Sequence, residues 1–106
     1  MKTLAYVRVS TDTQDVTHQR LAILEFARTE RMAVDAFLEV QASSRHSGKV
    51  RQLDVLLGSL EPGDALIVSE LSRLGRSVGE IITLVDRLMH HRVRVFALKL
   101  VFRILS

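Results

Sequence analysis

The feature that most restricts this chain is an alternation of two kinds of segment. Runs rich in β-branched, apolar or aromatic residues at 4–9, 34–40, 65–69 and 93–98 are separated by stretches of helical composition or spacing. Strands that are apolar on both faces belong in a parallel sheet, whose crossover connections cover those faces with helices. Residues 14–30 are rich in Leu, Ala, Glu, Gln and Arg and predict a first helix. Leu53, Leu56, Leu57 and Leu60 fall at i, i+3, i+4 and i+7, the stripe of a short second helix. Ser77 and Glu80 form a capping box, and Val78, Ile81, Ile82, Val85, Leu88 and Met89 make one face of a third helix running to about His91. Glu61-Pro62-Gly63-Asp64 predicts a turn and residues 41–49 a loop. The expected architecture is one α/β domain, residues 1–106: a three-layer fold whose mainly parallel four-stranded sheet is flanked by helices, with right-handed crossovers.

Composition narrows the class of chain. With 106 residues, 47% apolar and 25% charged, the chain suits one folded domain with a single core. The absence of cysteine excludes a disulfide framework and a thiolate metal site. Residues 1–10 enter a strand directly and lack the apolar centre of a signal peptide, and no apolar run has the length of a membrane span. A cytoplasmic protein without membrane contact is expected. The net charge of +3 favours a polyanionic partner, although the placement of the arginines says more than their number.

Ligands of open α/β sheets bind beyond the carboxyl ends of the strands. Strand one leaves through Arg8, Ser10 and Thr11, and strand three through Ser72, Arg73, Arg76 and Ser77. The loop after strand two carries Ser43, Ser44, Arg45, His46, Lys49 and Arg51. A hydroxyl and several guanidinium groups thus converge on one sheet edge. Guanidinium forks match the oxygens of a phosphodiester, and preorganised positive charge stabilises the charge that builds up when phosphorus is attacked. Tyr6, Arg8 and Ser10 alternate with period two and share one face of strand one. An arginine within a buried strand needs a partner or a ligand, because burying it alone is costly. Glu70, Asp64 and Asp54 are too dispersed for a two-metal carboxylate site, and His90 and His91 lack further ligands at metal spacing. Neither a metal nor another cofactor is expected.

Tyr6-Val7-Arg8-Val9-Ser10-Thr11, followed by Gln14 and Gln19, resembles the nucleophile motif of serine site-specific recombinases, the resolvase and invertase family. Leu71-Ser72-Arg73-Leu74-Gly75-Arg76-Ser77 resembles their second signature, and the likeness runs in register from about residue 3 to residue 98. The resemblance implies a resolvase-like catalytic domain acting on DNA as a dimer or tetramer. In that family a serine attacks the DNA backbone, forms a 5′-phosphoserine and frees a 3′ hydroxyl. It further implies Ser10 as nucleophile, with Arg8, Arg73 and Arg76 on the scissile phosphate and Gln14 and Gln19 organising the active-site loop. One more arginine is implied after strand two, and spacing does not choose between Arg45 and Arg51. Tyr6, Ser72 and Asp64 complete the expected substrate-side set, although many relatives carry Asp where Ser72 stands. Relatives continue into a dimerisation helix and a helix-turn-helix domain, which residues 100–105 do not resemble.

Each signal also has a plainer reading. Ser10 suits a turn or N-cap, Tyr6 suits packing, and His90 and His91 suit a helix C-terminus. Two rival functions follow. One is a truncated or degenerate recombinase remnant that keeps the fold without independent activity. The other is a small α/β regulatory or nucleotide-binding module, which calls for a Gly-rich phosphate loop; neither G-x-G-x-x-G nor G-x-x-x-x-G-K-[ST] occurs.

Overall fold

The alternation of apolar runs produces four parallel strands in the order β2-β1-β3-β4. The computed structural model describes residues 1–9, 13–41, 58–74 and 77–99. Its elements are β1 (Thr3–Val9), α1 (Thr13–Thr29), β2 (Ala36–Gln41), β3 (Ala65–Glu70), a 3-10 turn (Leu71–Leu74), α2 (Val78–His90) and β4 (Arg94–Lys99). The chain steps from β1 to β2 in one direction along the sheet and from β3 to β4 in the other. Right-handed crossovers therefore put α1 and α2 on opposite faces, which makes the three layers.

Period-two alternation divides the strands between two cores. Leu4 and Tyr6 of β1 and Leu66 and Val68 of β3 pack with Leu74, Ile81, Leu84 and Leu88 on the α2 face. Ala5 and Val7 of β1 and Ile67 of β3 pack with Ile23 and Ala27 of α1 on the other. Burying a side chain such as Leu88 is worth about 2 kcal/mol, so each helix is held chiefly by this apolar contact. Leu60, the last member of the predicted leucine stripe, is buried on the α2 face. Gly58 and Ser59 before it are helical, whereas Leu53, Leu56 and Leu57 lie outside the described residues.

Local hydrogen bonds decide where the elements stop. Ser77 adopts an extended backbone and its hydroxyl accepts the Glu80 N–H at 3.2 Å, the cap expected from sequence. Both helices end in Schellman motifs. In α1, Met32 N–H donates to the Ala27 carbonyl at 2.7 Å and Arg31 N–H to Arg28 at 3.2 Å. In α2, Val93 N–H donates to Leu88 at 2.9 Å and Arg92 N–H to Met89 at 2.9 Å. Arg31 (φ 57°) and Arg92 (φ 62°) occupy the left-handed position that glycine favours. This turn withdraws Val93 from the fourth strand, which begins at Arg94 instead of the expected residue 93. β2 similarly begins at Ala36, two residues later than expected, because Asp35 serves as a bracket for β1. Its N–H donates to the Thr3 carbonyl at 2.9 Å and its carboxylate accepts the Thr3 N–H at 2.6 Å.

Candidate active site

The central strands β1 and β3 pair from Thr3↔Ala65 only as far as Tyr6↔Val68. Beyond that point β1 continues beside β2 to Val9↔Gln41, and β3 continues beside β4 to Glu70↔Lys99. The sheet therefore parts at its carboxyl edge, between the two strands where the direction of chain travel reverses. This is the crevice position at which open α/β sheets take ligands.

One buried side chain of α1 fills the gap left by the ladder. In a parallel strand the N–H and C=O of a residue face the same neighbour, and even-numbered residues of β1 face β3, as the Lys2 carbonyl does in accepting the Ala65 N–H at 2.9 Å. Arg8 has no β3 residue opposite it in the ladder. Gln19, 2% exposed, takes that place. Its Oε1 accepts the Arg8 N–H at 3.0 Å, and its Nε2 donates to the Arg8 carbonyl at 3.0 Å. The carboxamide acts as a substitute peptide group and holds the backbone of β1 two residues before Ser10. Satisfying these two groups matters, since leaving a buried one unpaired costs about 1–3 kcal/mol.

The profile of the family described as "Resolvase, N terminal domain" matches residues 3–103. The chain belongs to this family. It is 37% identical over 102 residues to the transposon Tn2501 resolvase of Escherichia coli, covering 93% of this chain and 50% of that protein. It is 37% identical over 95 residues to the DNA-invertase hin of Salmonella typhimurium (strain LT2), covering 87% of this chain and 44% of that one. The resolvase-family chain thus spans about half the length of these curated relatives. The solved N-terminal catalytic domain of TP901-1 integrase shares its fold, with a TM-score of 0.70 at 21% identity over 92% of this chain and 77% of that one.

Within this resolvase-family fold the expected site residues separate into groups. Arg8 is half-buried and lies on the same face of β1 as Tyr6 and the 3-10 turn. That turn follows β3 directly, packs against β1, and carries the backbone of Ser72 and Arg73 to the carboxyl edge. Gln14 is exposed in the first turn of α1. Ser10, Arg45, Arg51 and Arg76 lie outside the described residues.

Two residues of the expected set take part in the packing of the sheet. Tyr6 is 1% exposed and packs within the α2-side core. Asp64 stands before β3 at the amino edge, the end of the sheet opposite to Arg8. Its carboxylate accepts the Glu61 N–H and the Lys2 N–H, each at 2.8 Å, with Lys2 Nζ at 3.9 Å. The Glu61 amide first, and the Lys2 amide second, hold this carboxyl below the usual carboxylate range. Asp64 closes the sheet.

Sequence reasoning missed a cavity of about 230 Å³ on the α1 side of the same edge, lined by Asp15, His18, Gln19, Ala22, Ser69, Glu70 and Leu98. The Ser69 hydroxyl is buried there without a hydrogen-bond partner among the described residues. The spacing of Asp15 and Gln19, one helical turn apart, is the signal that was available.

Proposed function

We propose that this chain is the catalytic unit of a DNA site-specific recombinase, with Ser10 as its nucleophile. The observation that carries the reading is the backbone clamp on Arg8: it steadies the strand that leads into Ser10, at the crevice where β1 and β3 part. Membership of the resolvase family supports it.

In the proposed reaction the Ser10 hydroxyl attacks a backbone phosphorus and gives up its proton. The bond from phosphorus to the 3′ oxygen breaks, that oxygen leaves as a 3′ hydroxyl, and the 5′ phosphate stays on Ser10. An exchanged 3′ hydroxyl then attacks the phosphoserine and releases Ser10. One phosphoester replaces another at each step, so the sequence of steps needs no high-energy cofactor. Arg8, Arg73 and Arg76, with Arg45 or Arg51, supply the positive charge that the pentacoordinate phosphorus requires. Cutting both strands of a duplex takes two active sites, so the working unit is a homo-oligomer on DNA in the cytoplasm.

The test is covalent capture. The chain is incubated with supercoiled plasmid carrying random inserts, digested with nuclease, and examined by mass spectrometry for a nucleotide on Ser10. Ser10→Ala is expected to abolish the adduct, and Arg8→Ala to lower its rate about a hundredfold, the usual worth of one oriented donor. An adduct that persists in Ser10→Ala overturns the reading.

A further inference from the structure

The orientation of the Gln19 carboxamide, which the Arg8 N–H and carbonyl already select, is reinforced by a third residue. Asp15 lies one turn earlier on α1, and its Oδ2 accepts a hydrogen bond from Gln19 Nε2 at 3.1 Å. The two hydrogens of Nε2 are thereby divided between the Arg8 carbonyl and Asp15. A carboxamide has a donor end and an acceptor end, and turning it by 180° exchanges them. Arg8 offers Gln19 one donor and one acceptor, whereas a carboxylate offers acceptors only. A flipped Gln19 would set Oε1 against both the Arg8 carbonyl and the Asp15 carboxylate, leaving Nε2 against the Arg8 N–H. Only the observed orientation satisfies all three groups.

We propose that Asp15 is a positioning residue: it reinforces the orientation of the Gln19 side chain and fixes its reach, and through Gln19 it steadies the backbone of Arg8 in the strand that leads towards Ser10. Glutamine is long and rotamer-rich, so ordering it over a gap in a sheet is entropically expensive. A carboxylate anchored in the first turn of α1, where the helix dipole favours negative charge, supplies a fixed point for it. Functional groups are held to productive geometry by such supporting hydrogen bonds. The structural part of this role stands on the geometry alone, and its catalytic consequence rests on the recombinase reading.

The experiment is amide hydrogen exchange by NMR on the ¹⁵N-labelled 106-residue chain. Asp15→Ala is expected to speed exchange of the Arg8 amide at least tenfold, with the Leu66 and Ile67 amides in β3 unchanged as reporters of global stability. Asp15→Asn, whose side-chain oxygen still accepts from Gln19 Nε2, should retain most of the protection. An Arg8 exchange rate within twofold of wild type in Asp15→Ala overturns the proposal. Should that variant not fold, loss of Arg8 protection in Asp15→Asn to the level of Gln19→Ala overturns it and retention supports it. In the adduct assay, Asp15→Ala should slow capture about tenfold at unchanged DNA affinity, with Asn restoring the rate. Fast Arg8 exchange in Asp15→Ala beside a wild type that forms no adduct keeps the positioning role and removes the recombinase reading.

Discussion

The Asp64 carboxylate and the Lys2 backbone N–H meet at 2.8 Å across 62 residues of chain. This contact ties the start of β1 to the turn before β3, just where their ladder begins at Thr3↔Ala65. The same two strands part after Tyr6↔Val68, where the Gln19 side chain takes over from β3. The central pair is thus closed by a carboxylate at one end and opened around a carboxamide at the other, which confines the crevice to the carboxyl edge.

The first prediction concerns acid. Hydrogen bonds from Glu61 and Lys2 lower the Asp64 pKa in the folded state, so its stabilisation is complete above the unfolded value near 4 and is lost as pH falls through the lower folded value. Asp64→Asn is expected to be less stable than wild type at pH 7, with the gap closing below about pH 4. Urea melts from pH 7 to pH 3 measure this; a gap that does not change with pH would remove the charge from the explanation.

Replacing Gln19 by Met keeps much of the volume and deletes both bonds to the Arg8 backbone. The expected loss is about 2 kcal/mol, from two backbone groups left partly unsatisfied at the crevice. Denaturant unfolding reads the value, and a loss below about 0.5 kcal/mol would mean that water replaces the carboxamide without penalty.

The helix ends predict a gain. Arg31 and Arg92 are exposed and hold left-handed backbone angles that cost a side-chain-bearing residue about 1 kcal/mol. Arg31→Gly and Arg92→Gly should each raise stability by about 0.5–1 kcal/mol, after allowance for the extra freedom of glycine in the unfolded chain. Thermal melts of the single and double variants test this, and additivity is expected for two separated turns.

Ser69 is 8% exposed and its hydroxyl lacks a hydrogen-bond partner among the described residues. Removing an unsatisfied buried hydroxyl costs nothing in bonding, so Ser69→Ala should be neutral or stabilising by up to about 1 kcal/mol. Calorimetry showing a loss beyond about 1 kcal/mol would reveal a partner for the hydroxyl.

Much of the architecture was legible because it rests on local periodicity. The run at 65–68 is apolar throughout, and the buried Ala65, Leu66, Ile67 and Val68 of β3 confirm why: helices cover both faces. The cap at Ser77 was legible for the same reason, since a capping box is complete within four residues. The helix ends were not, because their Schellman turns carry arginine where the usual signal is glycine. Of the candidate site, the placement of Arg8 followed from alternation along β1. The separation of Asp64 from it depends on which end of β3 each residue occupies, which motif proximity does not convey.

The sequence by itself determined the strands, the helices and the face of β1 on which Arg8 stands, because these follow from side-chain period and short-range hydrogen bonding. Only the tertiary structure decided that β1 lies between β2 and β3, and that its ladder with β3 ends at Tyr6. It alone assigned Gln19 to complete that ladder and Asp64 to close the opposite end. These are pairings between residues distant along the chain, and their partners are set by packing two cores on one sheet, for which no local pattern exists.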